Sequence, residues 1–315
     1  MNGRRVVVTG AFGYSGKAIA RKLLDCGDAV ATLTNSPLRP NPFQGAVTVF
    51  PLNFADEDQL ARSMDGADCL VNTYWVRFNH RNFTYAQAVR NSIRLFSAAR
   101  KAGVGRIVHV SITNPSEDSP YEYFQGKGVL ERALAETGVP HSILRPAVLF
   151  GGADILLNNI AWSLRRFPVF GVFGDGRYRL VPIHVEDFAD LALREAGESG
   201  NRLIQAVGPE VFSFREMVET VGAAIGKPRP ILEMPPMLAH AVAWVVGKAV
   251  GDVMLTRDEV RGLMDDLLFV DAPSAGTTRL TEWTRKHANS LGVCYASELS
   301  RRLDRTRAYE HPRAA

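Results

Sequence analysis

Apolar residues recur along the first half of the chain in two alternating rhythms, short unbroken runs and helically spaced stripes. Arg5 to Val8 is a compact run suited to a buried strand, glycines follow, and residues 17–26 set Ala18, Ile19, Ala20 and Leu23 at helical spacing before Gly27 stops them. Further along, the pattern predicts strands at 29–33 and 47–52, separated by a turn-rich stretch with prolines at 37, 40 and 42. A short helix at 56–64 with an acidic first turn precedes a fourth strand at 68–72. A long helix at 85–102 ends at Gly103, a fifth strand follows at 106–110, and a helix at 126–136 leads to a sixth strand at 141–144. Strands that alternate with helices make parallel βαβ units. The expected fold class is therefore α/β, a doubly wound parallel sheet with its sites at the carboxyl ends of the strands.

Past Gly151 the rhythm changes to longer helical stretches, isolated short strands at 202–207 and 231–234, and joints at Pro228, Pro230, Pro235 and Pro236. The expected division is a first domain at 1–150 and a smaller α+β region at 151–315, discontinuous and partly returning to the sheet. The most apolar stretch, 237–255, is broken by His240, Lys248 and Asp252 and falls short of the ~20 apolar residues of a membrane span. It reads as a helix; peripheral contact with a membrane surface is the alternative, for which Trp244 and Lys248 are suited.

Composition narrows the function classes. The 37 basic and 33 acidic residues are spread along the chain, so the net charge of +4 makes no nucleic-acid-binding face. The stretch from Arg301 to Arg313 is locally basic and reads as a solvated end. Cys26, Cys69 and Cys294 have no paired spacing, which argues against a disulfide framework or a zinc site and for a reducing, cytoplasmic setting. No metal site is expected. The early run Val6-Val7-Val8 ends in glycine too soon for a signal peptide.

Chemistry first enters at Thr9-Gly10-Ala11-Phe12-Gly13-Tyr14-Ser15-Gly16. A dinucleotide's pyrophosphate needs backbone amides, the positive end of a helix dipole, and glycines where side chains would block its approach. Gly10, Gly13 and Gly16 stand at those positions between a buried strand and a helix, which makes the first domain a dinucleotide-binding one. Cofactor choice is read at the end of the second strand, where the chain offers Thr34 and Asn35 instead of a carboxylate, with Arg39 beyond. No charge there repels a ribose phosphate, so NADP is expected with Arg39 as its partner, and NAD is the alternative. Plain loop solubility explains Arg39 almost as well.

After the fifth strand come Ser111 and Thr113, and then Tyr123 and Lys127 at the opening of the next helix. Four residues apart on a helix, the phenol and the amine share a face, so the ammonium lowers the phenol's pKa and reaches toward the cofactor ribose. Such a phenol can donate a proton to a carbonyl or take one from an alcohol. Ser111 or Thr113 would orient the substrate oxygen.

Two residues, Ala11 and Phe12, separate the first glycines where the ordinary fingerprint has one. This TGxxGxxG variant, with the YxxxK of Tyr123 and Lys127, resembles the short-chain dehydrogenase/reductase superfamily. Arg145-Pro146 through Gly151 resembles the RPxxxxG stretch that passes the nicotinamide in its extended and atypical members, the epimerase/dehydratase group. Val181 through Ala189 resembles the PxHVxDxA turn of the same group. The Tyr-Phe-Gln-Gly-Lys helix start, with Glu131 following, is similar to NmrA-like proteins and to the NAD(P)H-binding accessory subunit of respiratory complex I.

The resemblance implies an NAD(P)-dependent oxidoreductase or epimerase/dehydratase acting on a small carbonyl or alcohol through Tyr123. Its alternative is a catalytically silent redox sensor or assembly protein. The implied cofactor set is residues 10–16, Thr34, Asn35, Arg39, Asn72, Lys127 and Pro146. His184 and Asp187 read as structural, Asp187 as a cap. A sugar-nucleotide pyrophosphate would call on Arg165, Arg166, Arg177 and Arg179, which surface charge explains equally well. Oligomeric state is not readable.

Overall fold

The computed structural model describes residues 3–310; the end of the basic stretch, 311–313, lies outside them. The chain divides into two compact units, Met1–Pro146 with Phe188–Ala206, and Ala147–Asp187 with Val207–Ala315.

In the first unit, β1 (Arg5–Thr9) buries Val6, Val7 and Val8 completely, the environment that a three-valine run demands. It is followed by α1 (Tyr14–Asp25), β2 (Ala29–Thr34) and β3 (Val47–Pro51). Next come α2 (Glu57–Ser63), β4 (Cys69–Asn72) and α3 (Tyr85–Lys101), then β5 (Arg106–Val110), α4 (Glu122–Glu136) and β6 (His141–Pro146). Side chains fix two of the starts: Asp56 accepts from the Gln59 amide and Thr84 from that of Gln87.

The second unit begins with β7 (Val148–Phe150), α5 (Leu156–Arg166), β8 (Phe170–Phe173), β9 (Arg179–Leu180) and β10 (Pro182–His184). The chain crosses back along α6 (Val185–Glu195) to β11 (Arg202–Ala206). It then builds β12 (Phe212–Ser213), α7 (Phe214–Ala224), β13 (Ile231–Met234) and α8 (Pro236–Val250) in the second unit.

Seven strands form one sheet in the order β11-β6-β5-β4-β1-β2-β3, every pairing parallel. The order turns at β1, which pairs β2 on one side and β4 on the other, and the crevice at such a switch point is where open α/β sheets bind ligands. The α/β doubly wound parallel sheet is thus present. The short strand read at 202–207 runs here as β11 and pairs with β6 as the sheet's seventh member, an edge position that its exposed Arg202 and Leu203 reflect. Val7, Leu33, Leu70 and Ile107 pack with Leu60, Leu95, Phe96 and Leu130 in one core cluster, and each fully buried leucine contributes about 1.5–3 kcal/mol.

The core of the second unit gathers Phe150, Leu157, Ile160, Leu164, Met217 and Val221. Within it β7 pairs β10, so the RPxxxxG and PxHVxDxA segments run side by side, and β8 pairs β13. Among the described residues no helix is long and apolar enough to cross a membrane.

Candidate functional site

The glycine loop is held by backbone geometry. Gly10 has φ 67°, a left-handed conformation that a side chain disfavours, and its amide donates to Leu33 O at 2.9 Å. A Cβ on Gly16 would lie 2.3 Å from Gly10 O, so α1 packs onto the loop only because that residue is glycine, and one on Gly13 would lie a tight 3.2 Å from the same oxygen. The Ala11 amide donates to Thr32 Oγ1 (3.0 Å), which in turn donates to Val8 O (2.9 Å). Ala11 and Phe12 are buried, so their side chains anchor the loop from below.

The helix starts at Tyr14, three residues before the sequence pattern places it, because Gly13 takes the N-cap in an extended conformation. As N-cap, Gly13 supplies no capping side chain to the first turn of α1. A loop that a Cβ would obstruct, leading into a helix whose N-cap is glycine, fits a dinucleotide pyrophosphate.

At the end of β2, Thr34 is buried with its Oγ1 accepting from the Ser36 amide at 3.0 Å, and Asn35 is exposed. Arg39 is buried, and its amide closes a turn on Ser36 O at 3.1 Å. No carboxylate stands at Thr34 or Asn35.

Asn72 is fully buried at the end of β4. Its Oδ1 accepts from Thr9 Oγ1 (3.1 Å) and from the Tyr74 amide (3.0 Å), so its Nδ2 is left to donate to His109 Nδ1 at 3.1 Å. That assignment makes His109 the neutral Nε2–H tautomer. Complete burial, reinforced by Lys127, holds the imidazole well below its ordinary pKa. Asn72 thereby fastens the β1, β4 and β5 ends together by its own amide.

α4 begins at Glu122, one turn before the predicted start, so Tyr123 and Lys127 both lie within it and one turn apart. Gly126 had suggested a boundary, but it marks a close approach instead: a Cβ there would lie 2.9 Å from the Trp75 ring and 3.0 Å from Val89. The half-buried Tyr123 ring is held edge-on to Trp75 and Tyr85, at centroid separations of 5.7 and 5.8 Å.

Lys127 is 2% exposed. Its Nζ donates to Val110 O at 2.6 Å and lies 4.4 Å from the Trp75 ring centre. Burial pushes its pKa down to about 7 against the opposing pull of Glu131.

The two candidate orienting hydroxyls are both buried. Ser111 Oγ donates to Glu131 Oε1, and Glu131 is gripped by Arg145 through Nε (2.9 Å) and Nη2 (2.5 Å). The Thr113 amide donates to the carbonyl of Pro146, the buried last residue of β6, at 3.1 Å. Sequence reasoning had the letters of Glu131 and Arg145 but no signal for their pairing with Ser111, which only the packing of α4 on β5 and β6 creates.

The second unit uses its motif residues for architecture. The His184 ring covers Gly151, where a Cβ would come within 2.4 Å of Nε2. Asp187 accepts from the amides of Thr277 and Thr278, both at 2.7 Å, and from Thr278 Oγ1 at 2.9 Å. Arg165 donates to Leu291 O and Ala288 O, Arg166 to Val293 O, and Arg179 pairs Asp266 at 2.9 Å. These three therefore secure the chain's own backbone and loops, while Arg177 stays largely exposed beside Asp175. Among the described residues no cluster of metal-ligating side chains occurs.

Residues 10–156 match the family described as NAD(P)H-binding. A mitochondrial NADH dehydrogenase [ubiquinone] 1 alpha subcomplex subunit 9 from Arabidopsis thaliana is 25% identical over 254 residues, 77% of this chain and 63% of that protein. The chain thus spans less than two thirds of that relative. A (4-alkanoyl-5-oxo-2,5-dihydrofuran-3-yl)methyl phosphate reductase from Streptomyces griseus is 26% identical, over 71% of this chain and 74% of the reductase. Among solved structures, an NADPH-dependent quinone oxidoreductase from Escherichia coli complexed with NADPH superposes with a TM-score of 0.70 at 20% identity, covering 89% of this chain and 99% of that one. The glycine loop, the parallel sheet and the NAD(P)H-binding match over residues 10–156 together fit the atypical short-chain dehydrogenase/reductase superfamily that the sequence resembles.

Proposed function

We propose that this protein is an NADP(H)-dependent oxidoreductase of a small carbonyl or alcohol substrate, with Tyr123 as the proton donor or acceptor. The observation that carries this reading is the placement of Tyr123 and Lys127 one turn apart on α4, the phenol half-buried and the amine wholly so. Bound nicotinamide would supply or accept the hydride. Residues 10–16 would hold the pyrophosphate, and the lack of a carboxylate at Thr34 and Asn35, with Arg39 following, favours a 2′-phosphate.

Trp75 and Tyr85 hold the Tyr123 ring by its edges, which fixes where the phenol proton is delivered. Burial brings the Lys127 pKa to about 7, so the charge one turn from Tyr123 on the same helix changes around neutrality. An epimerase would use the same tyrosine in both directions. The free cysteines, Cys26 and Cys294 exposed, suit the reducing cytoplasmic setting included in this proposal.

A second reading is a catalytically silent NAD(P)-binding sensor or assembly protein. One observation favours it: Ser111 gives its proton to Glu131, inside the fold. The relative named as a complex I subunit points the same way. The test is turnover of a carbonyl and alcohol panel beside direct measurement of NADPH binding, for the parent and Tyr123→Phe. Turnover lost in the variant with binding retained supports the enzyme; binding without turnover by the parent supports the silent reading.

A further inference from the structure

Helix α8 is apolar, His240 apart, on the side that it buries and equally apolar on the side that it leaves open. Its inward residues, Ala239, His240, Ala243, Val246, Gly247 and Val250, are buried or half-buried. Met237, Leu238, Val242, Trp244 and Val245 are exposed, Met237 by 88% and Trp244 by 60%. At 100° per residue these five, with Ala241, Lys248 and Ala249, fill one continuous arc of roughly 160°. A surface helix ordinarily turns charged side chains outward; here the outward arc carries a single charge, Lys248, and α8 has no acidic residue at all. The Lys248 ammonium lies 5.7 Å from the Trp244 ring centre, so cation and indole stand at one level on the same flank.

We infer that the open face of α8 docks on an anionic lipid surface, with the helix lying in the plane of the interface. Its 15 residues measure about 22 Å, too short to cross a bilayer and long enough to lie along one. Tryptophan and lysine side by side suit the headgroup level, and the apolar arc enters the acyl boundary. Charge selects this occupant over a second copy of the chain: a copy's α8 offers Lys248 no carboxylate, whereas phosphate headgroups offer it an anion. Pro236 in the first turn and Gly251, at φ 64°, as the C-cap fix both ends of the helix without adding a charge to the arc. The inference stands apart from the assignment of Tyr123, because it is argued from α8 alone.

The experiment is co-sedimentation of the full chain with vesicles of phosphatidylcholine alone and of phosphatidylcholine with phosphatidylglycerol, at low and high salt. The intact chain is expected to pellet with the anionic vesicles and to be released in large part by salt. Val245→Asp, facing solvent on α8, is expected to lower the bound fraction at least tenfold, and Lys248→Ala to weaken binding about fivefold. Retained NADPH binding and an unchanged circular dichroism spectrum show that each variant is folded. The inference is overturned if the parent stays in the supernatant with both vesicle types, or if Val245→Asp pellets as well as the parent. A concentration-dependent dimer that Val245→Asp dissolves, without vesicle binding, overturns it in favour of a protein partner.

Discussion

The β1–α1 loop and the β5–α4 junction sit at the carboxyl ends of strands in one sheet, and they are built by opposite means. The first is shaped by what is missing: glycines let α1 close on Gly10 O, and the N-cap Gly13 brings no capping side chain. The second is shaped by side chains holding one another, Ser111 to Glu131 to Arg145, and Lys127 to Val110 O beneath Trp75. A backbone cradle accepts any dinucleotide phosphate, whereas a side-chain network fixes which proton is where. Binding and chemistry in this protein should therefore break separately.

The sharpest separation is expected from Tyr123→Phe. Turnover should fall about 100- to 10,000-fold, the range for loss of a positioned acid or base, while the NADPH dissociation constant changes less than about twofold. Parallel steady-state kinetics and calorimetric titration check this, and a variant that loses cofactor affinity as steeply as turnover would merge the two regions into one. The converse variant is Gly16→Val. Forcing side-chain atoms against Gly10 O should weaken NADPH binding about 10- to 100-fold, an overpacking cost of roughly 1–3 kcal/mol.

Lys127 tests the closed region through stability. Its pKa is about 7 folded against 10.5 as the ordinary value, so between those pH values the unfolded chain binds more protons. Stability should then rise with pH across that window, by at most about 1.4 kcal/mol per unit, with no such gain below pH 7. Urea midpoints at several pH values should lose this slope in Lys127→Met, and a slope that persists would mean another group is responsible. The smallest effect is expected at the rim of the open region: Arg39→Ala should weaken NADPH about fivefold and leave NADH unchanged. Equal affinities in parent and variant would remove Arg39 from cofactor choice.

The open region was the legible one. A glycine loop between an apolar run and a helical stripe is local information, and so is the absence of a carboxylate at Thr34 and Asn35. Its one displaced boundary, α1 starting at Tyr14, arose because Gly13 caps the helix by conformation and offers no capping side chain to read. The closed region depends on partners 14 and 20 residues apart, Glu131 with Arg145 and with Ser111, which no periodicity relates. Gly126 misled for a physical reason: glycine inside α4 makes room for Trp75, yet in a sequence it looks like punctuation. The strand β11 was visible as an apolar run, but its place on the sheet edge follows from a crossover that only the folded chain reveals.

The three hydrogen bonds on Asp187 set an order in time. The β1–α1 loop closes between residues within a few tens of positions, Gly10 onto Leu33 and Ala11 onto Thr32. Asp187 waits for Thr277 and Thr278, 90 and 91 positions downstream, and Gly276 has to arrive without a side chain because a Cβ there would press on the carboxylate at 2.7 Å. On a ribosome the β1–α1 loop can thus form long before the second unit is able to finish its core. Until Thr277 and Thr278 emerge, Asp187 must be served by water.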